Sequence, residues 1–303
     1  MIDEKEYYRK AEYLTDIYKH GEIINELTDN PEYICQIVQG LMVHGAWCKF
    51  YGVEDCPEKN FDKVSMSDLL DKIISIDDKP LMIPRTLEKR VIASCREFAT
   101  LACAILRFKG IPARSRCGFA VYLGWEGSLE DHWVVEYWDG AKWIMNDPQI
   151  DPFQLGMLQK WGFNKISIQS ETPNPNPRNL TENDFITAGR AWNLCKAGVI
   201  SPEICGIEDL HGSWFVRGQL LRDFASLNKI ETVPYLNRVE RGLNWDLWEL
   251  ISKDHEDIST EELEILDYIA ELTNDIDNNL SVINEYYVSN KSLNVPKSYI
   301  VLD

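Results

Sequence analysis

Cys95, His132 and Asp147 are the residues of this sequence whose types could together support covalent catalysis. A cysteine supplies a sulfur nucleophile, a histidine can take up its proton and later release it, and a carboxylate can orient the imidazole. Such a set acts only if the fold brings the three side chains together. The elements predicted around each residue therefore decide whether this chemistry is available.

Cys95 stands at the start of a helix that the sequence predicts between Ser94 and Gly110. Ser94 suits the N-cap and Glu97 completes a capping box, while Gly110 can adopt the left-handed conformation that ends a helix. Unpaired amides and the helix dipole favour a thiolate at the first turn, so we expect a lowered pKa and a reactive thiol at Cys95. The alternative is a buried cysteine that only packs.

Two β-rich runs, residues 132–138 and 141–148, flank the dipeptide Asp139-Gly140, which is a strong hairpin signal. If this dipeptide forms a two-residue loop, His132 lies directly opposite Asp147 on one face of the hairpin. Directly opposed side chains have Cβ atoms about 4.5–5.5 Å apart. The sequence therefore predicts that the Asp147 carboxylate holds the His132 imidazole.

Residues 88–152 contain four sequence motifs, one after another. They are Cys95-Arg96-x-x-Ala99, Leu106-Arg107-x-x-Gly110-Ile111-Pro112-Ala113-Arg114, Asp131-His132-Trp133-Val134-x-x-Tyr137 and Trp143-x-x-x-Asp147-Pro148. Together these motifs resemble the transglutaminase-like superfamily. The resemblance implies an α+β fold with a papain-like core, in which the helix that carries the cysteine packs on an antiparallel sheet. It also implies that Cys95 is the nucleophile, His132 the general base and acid, and Asp147 the orienting carboxylate.

Trp47 is the candidate for stabilising an oxyanion, because members of this superfamily often use an indole N–H upstream of the cysteine. The backbone N–H of Cys95 would supply a second donor. The sequence predicts that Trp47 lies in a helix from Tyr33 to Tyr51, one turn from His44. Aromatic residues at helical spacing usually pack in the core, so packing is the alternative role of Trp47 and His44.

Helical patterns continue on both sides of the predicted core. Predicted helices cover residues 3–28, Ser67 to Ile76, Glu182 to Lys196, Ser213 to Leu227, a segment from near Trp245, and Ser259 to about Asp275. We expect a single transglutaminase-like domain over residues 1–245, with its core at about 88–152 and helical elaborations at 1–87 and 153–245. Residues 246–303 are expected to form a C-terminal helical extension.

Composition restricts the partners and the location of the protein. A net charge of −18 disfavours nucleic acid and anionic membrane surfaces as partners. No apolar run approaches a membrane span and the first residues do not form a signal peptide, so we expect a cytoplasmic protein. The eight cysteines include no C-x-x-C pair. We therefore expect reduced thiols instead of a disulfide framework or a zinc site.

The resemblance implies an enzyme that forms a thioester on its cysteine and passes the acyl group to an amine or to water. The acyl donor would be a peptide or a small molecule, and we expect no metal or cofactor because the triad supplies both nucleophile and base. Two alternatives stay open from the sequence: an amidase or peptidase that only hydrolyses, and a peptide-binding module without catalysis. The sequence does not determine the oligomeric state.

Overall fold

The computed structural model describes residues 2–53, 65–162, 174–231, 253 and 255–295. This described part of the chain contains ten α-helices: α1 (Glu4–Arg9), α2 (Gly21–Asn25), α3 (Pro31–Leu41), α4 (Met66–Ile76), α5 (Cys95–Phe108), α6 (Pro152–Trp161), α7 (Ala188–Lys196), α8 (Ser213–Leu227), α9 (Thr260–Asn274) and α10 (Ile276–Ser289). It also contains eight strands: β1 (Met42–His44), β2 (Val91–Ala93), β3 (Ala113–Ala120), β4 (Leu129–Trp138), β5 (Trp143–Asn146), β6 (Phe185–Thr187), β7 (Cys205–Ile207) and β8 (Leu210–His211). The combination of helices and sheet confirms the predicted α+β class.

The larger sheet has the strand order β6-β3-β4-β7-β8, with β5 as a further partner of β4. β3 is antiparallel to β4 and β6, whereas β7 runs parallel to β4. β5 pairs with residues 135–138 of β4, and β7 pairs with residues 129 and 130. Within the described residues, a gap at 131–134 therefore lies between these two partners, and the gap contains His132.

Helix α5 packs on this sheet and is buried along nearly its whole length. The Glu97 carboxylate accepts a hydrogen bond from the Ser94 backbone N–H at 2.8 Å, and Gly110 has a φ of 76°. Both predicted ends of the helix are confirmed. Ala99 is fully buried in a cluster with Cys95 and Trp133, so its small side chain lets the helix approach the sheet closely.

Helix α8 is held to β3 by buried charges. The Arg116 guanidinium donates to both carboxylate oxygens of Asp223, at 2.9 and 2.8 Å, and also lies 3.3 Å from Glu136 of β4. Removing one partner from a buried ion pair costs about 3–5 kcal/mol, because the other charge is left without compensation. This network therefore couples β3, β4 and α8.

The predicted helix from Tyr33 to Tyr51 is wrong beyond Leu41. Met42 begins β1, which pairs in parallel with β2, and residues 45–51 form a 3-10 helix that contains Trp47. Pairing with a distant strand is a tertiary interaction, so local periodicity does not reveal it. β2 ends just before Ser94 and Cys95, and β1 ends just before the 3-10 helix that contains Trp47. Because the two strands are parallel, their pairing places this 3-10 helix near the start of α5.

Two other predicted helices differ from the structure. Residues 3–28 form α1 and α2 separated by non-helical residues 10–17, and α7 begins at Ala188 because residues 185–187 pair with β3 as β6. The predictions for α4, α8 and α9 are confirmed within two residues. The helix expected near Trp245 lies outside the described residues, as does the expected domain boundary there.

The last described helices contribute to a core shared with α8. Leu266 and Ile269 of α9 and Ile283 of α10 belong to the same buried cluster as Leu220 and Phe224 of α8. None of the described helices combines the length and apolar character needed to cross a bilayer. The division into a domain and a C-terminal extension stays a prediction.

The expectation of reduced thiols throughout is wrong at one position. Cys48 is disulfide-bonded. Among the described residues six cysteines are free, namely Cys35, Cys95, Cys103, Cys117, Cys195 and Cys205. The described residues contain no group of three or more His, Cys, Asp or Glu side chains placed to hold a metal ion.

Gly118 marks the closest approach between β3 and β6. A Cβ atom at this position would lie 2.2 Å from the carbonyl oxygen of Ile186 and 2.9 Å from the Cα of Thr187. We expect Gly118→Ala to lower the free energy of unfolding by about 1–3 kcal/mol, because a well-packed core resists added volume. Chemical denaturation measures this change.

Gly156→Ala is the matched control, since a Cβ at Gly156 in α6 meets no atom within 4 Å. That variant should be neutral or more stable by about 0.5–1 kcal/mol, as expected for Gly to Ala within a helix. Equal stability of Gly118→Ala and the unchanged protein would contradict this expectation, because it would show that β6 shifts away from β3 at little cost in free energy.

Candidate active site

A cavity of about 370 Å³ lies at the N-terminal end of α5. Cys95 and His132 both contribute to its wall. Other lining residues come from the 3-10 turn (Trp47, Phe50), the loop after β5 (Gln149) and α6 (Leu158, Trp161). The fold thus brings the predicted nucleophile and the predicted base to one cavity whose wall includes several aromatic side chains.

Cys95 is the first residue of α5, as predicted, and its thiol is buried. The residue is 8% exposed. Burial raises the pKa of the Cys95 thiol well above its ordinary value and the nearby Asp131 carboxylate adds to the effect, while a hydrogen bond from the Trp133 backbone N–H opposes it. The expectation of a lowered pKa is wrong, because desolvation and neighbouring negative charge outweigh the helix start.

His132 and Asp147 form a buried hydrogen-bonded pair. His132 Nε2 lies 2.8 Å from Asp147 Oδ2, and both side chains are almost fully buried. An ionised carboxylate can only accept hydrogen bonds, so Nε2 donates in this contact. The predicted contact between these two residues is confirmed.

The turn that leads to this contact differs from the expected Asp139-Gly140 loop. Trp138 pairs with Trp143, which centres the turn on Gly140 and Ala141. The Asp139 carboxylate accepts hydrogen bonds from two backbone N–H groups of the turn, at 2.7 and 2.8 Å, and Gly140 has a φ of 105°. Asp139 thus supports the turn from the end of the strand instead of occupying its centre.

The observed register does not place His132 directly opposite Asp147. It differs by two residues from the predicted register, and strand side chains alternate with a period of two, so both side chains still belong to the same face. β5 ends at Asn146, and the Asp147 backbone N–H donates to the Pro177 carbonyl at 2.7 Å. The contact is therefore completed by the loop after β5.

Tyr122 is a site residue that the sequence analysis missed. Its hydroxyl donates to Asp147 Oδ2 at 2.6 Å, while the Gln149 backbone N–H donates to Oδ1 at 2.8 Å. Burial alone would raise the pKa of Asp147, but His132, Tyr122 and Gln149 together hold it below its ordinary value. No local motif links Tyr122 to Asp147, because their contact depends on the path of the chain after β3.

Trp47 lies at the site although its predicted helix does not form. Its ring stacks on Trp161 of α6 with 5.7 Å between ring centroids, and Phe50 lies 5.5 Å away. His44, the last residue of β1, also lines the cavity. The pairing of β1 with β2 therefore supplies an aromatic wall next to Cys95.

Acidic side chains line another part of the cavity. Glu130, Asp131 and Glu208 contribute to its wall. Burial, followed by the adjacent Asp131 carboxylate, raises the pKa of Glu130 to about 7. The charge at this side of the cavity therefore changes near neutral pH.

The raised pKa of Cys95 predicts how the thiol responds to pH. We expect iodoacetamide to alkylate Cys95 slowly at about pH 7 and progressively faster above about pH 9, because only the thiolate reacts. Peptide mass spectrometry over a pH series measures the rate, with the partly exposed Cys195 as the internal reference. Fast, pH-independent alkylation of Cys95 around neutrality would contradict the neutral resting thiol.

The comparisons with known proteins agree with the position of this site in the chain. Residues 71–148 match the family model of the transglutaminase-like superfamily, and the match includes Cys95, His132 and Asp147. No curated protein and no solved structure matches the chain significantly. The family match confirms the resemblance carried by the sequence motifs: residues 71–148 are similar to the core of the transglutaminase-like superfamily.

Proposed function

We propose that this protein is a cysteine-dependent acyl-transfer enzyme that forms a thioester on Cys95. The observation that carries the proposal is the buried hydrogen bond between His132 and Asp147, with His132 lining the same cavity as Cys95. The family match supports it at the coarser level of a cysteine acyltransferase or hydrolase. The acyl donor is a peptide side chain or a small molecule, consistent with a cavity of this size.

The neutral resting thiol determines the first step. As Cys95 Sγ attacks the acyl carbonyl carbon, His132 Nδ1 takes the thiol proton and the carbonyl π electrons move to oxygen. When the tetrahedral intermediate collapses, the carbon–nitrogen bond of an amide donor breaks. The leaving amine takes the proton from His132, and the acyl group stays on Cys95 as a thioester.

The second step releases the acyl group. An incoming amine or water gives a proton to His132 and attacks the thioester carbonyl, and the Cys95 sulfur leaves and regains its proton. An amine acceptor gives a new amide, whereas water gives a carboxylic acid. If water is the only acceptor, the protein is an amide hydrolase; a cavity that binds peptides without reaction is the remaining alternative.

Negative charge that develops on the carbonyl oxygen needs hydrogen-bond donors. We assign this role to the Trp47 indole and the Cys95 backbone N–H, since both residues lie at the cavity. Asp147 supports the positive charge that His132 gains when it takes the proton. Tyr122 acts through Asp147 as a positioning residue, because its hydroxyl donates to the oxygen that also contacts His132.

A trapped acyl group tests the proposed nucleophile. Incubation of the protein with cell extract should add an acyl mass that peptide mapping places on Cys95, because the thioester forms before an acceptor attacks. The Cys95→Ala variant should gain no such mass. Absence of an adduct at Cys95, or an equal adduct on the variant, would contradict the proposal.

Substitutions around His132 should slow acylation to different extents. Asp147→Asn should lower the rate by about 10⁴, the loss seen when the orienting carboxylate of a serine protease is removed. Tyr122→Phe should lower it by about tenfold, corresponding to one hydrogen bond. The acylation reaction is stopped at successive times, and intact mass gives the fraction of acylated protein at each time. The rise of this fraction gives the rate for each variant.

Tyr8→Phe makes the same chemical change at another buried tyrosine, whose hydroxyl donates to the Leu227 carbonyl at 3.0 Å. This control should acylate at the unchanged rate. If Tyr122→Phe behaves like this control, or if Asp147→Asn remains fully active, the roles assigned to Tyr122 and Asp147 are incorrect.

A further inference from the structure

Gln149 has a side-chain oxygen that no donor among the described residues satisfies. The residue is 3% exposed and contributes to the wall of the cavity that also contains Cys95 and His132. Its side-chain oxygen is buried without a hydrogen-bond partner among the described residues. Only its backbone N–H contributes to the contacts around Asp147. The side chain therefore has no assigned role in holding His132 or Asp147.

An unpaired polar group of this kind is unfavourable in the free protein. A buried acceptor left without a donor costs about 1–3 kcal/mol, and most buried polar atoms in proteins do have partners. A glutamine amide offers one acceptor oxygen and an NH₂ group with two donors. Rotation about its last side-chain torsion is soft, so either end of the amide can face the cavity. The matching ligand group is an amide with an N–H.

The position of Gln149 places this amide beside the reacting groups. Gln149 follows Asp147 by two residues in the loop after β5 and lines the same cavity as His132. The Gln149 backbone is one hydrogen bond from Asp147, which in turn contacts His132. A ligand amide at Gln149 would therefore lie close to the base that serves Cys95.

We propose that Gln149 is a specificity-determining residue that recognises the N–H of the acyl donor's amide group. This inference rests on the proposed function and deepens it, because it explains how the cavity would select amides over esters. An ester, or an amide without an N–H, cannot donate to the Gln149 oxygen. Binding of either group leaves that oxygen unpaired.

Two alkylating reagents test this recognition without requiring turnover. Iodoacetamide carries two N–H donors, and its N,N-dimethyl analogue carries none, although both are neutral and both alkylate a thiolate with loss of iodide. The measured quantity is the ratio of their rates at Cys95, divided by the same ratio for glutathione. Since both reagents attack the same thiolate, changes in the pKa of Cys95 cancel from the ratio.

We expect the unchanged protein to prefer iodoacetamide by about tenfold in this corrected ratio, the value of one hydrogen bond. Gln149→Met should abolish the preference because methionine fills a similar volume without the amide. Gln149→Glu keeps an acceptor oxygen and should retain the preference. This second variant keeps the test valid if the methionine variant folds poorly.

Gln154→Met is the matched control. Gln154 is 2% exposed and its side-chain oxygen also lacks a partner among the described residues, but it does not belong to the lining of the cavity. Its replacement should leave the corrected ratio unchanged. An equal effect of the Gln154 and Gln149 variants would overturn the inference.

A corrected ratio near one in the unchanged protein would also overturn the role of Gln149. A preference for iodoacetamide that remains in Gln149→Met would do the same. If an acyl adduct still forms on Cys95 in that case, the proposed function stands and only the specificity residue is wrong. A clear preference that depends on Gln149, together with no acyl adduct, would instead contradict the proposed function.

Discussion

The buried carboxylate of Asp147 is the group around which the site is arranged. A charge removed from water must be compensated by hydrogen bonds or opposite charge, because its desolvation is otherwise unfavourable by several kcal/mol. At Asp147 the partners come from separate parts of the chain: His132 from β4, Tyr122 from beyond β3, and the Gln149 backbone from the loop that follows β5. The need to satisfy one carboxylate therefore holds these segments together and sets the orientation of the imidazole.

Burial raises the pKa of both acids of the site, but their neighbours act in opposite directions. At Asp147 several donors overcome the effect of desolvation and lower the pKa, whereas at Cys95 a nearby carboxylate reinforces desolvation and raises it. The orienting group is thus charged while the sulfur is neutral. In the proposed mechanism this difference makes His132 necessary, because a neutral thiol needs a base at the moment of attack.

Three independent features support the proposed papain-like arrangement and catalytic roles: the position of Cys95 at a helix start, the hydrogen bond of His132 to Asp147, and the cavity that Cys95 and His132 share. The mixed sheet departs from the antiparallel sheet that the resemblance implies, since β7 runs parallel to β4. The gap that contains His132 arises because β5 and β7 pair with separate ends of β4.

Local features were predictable where neighbours in sequence decide them. The ends of α5 follow from Ser94, Glu97 and Gly110, and the shared face of His132 and Asp147 follows from strand alternation. That second prediction remained correct although the turn was misplaced, because the register error was an even number of residues. The family resemblance also came from short motifs whose order and spacing are visible in the chain itself.

The tertiary structure decided everything that depends on distant partners. β1 pairs with β2 and carries Trp47 to the cavity, Tyr122 reaches Asp147, and the surroundings of Cys95 raise the pKa of its thiol. Helix caps and alternating strands are properties of adjacent residues, so the sequence contains them directly. Desolvation, charge proximity and the pairing of remote strands arise only when separate segments pack together.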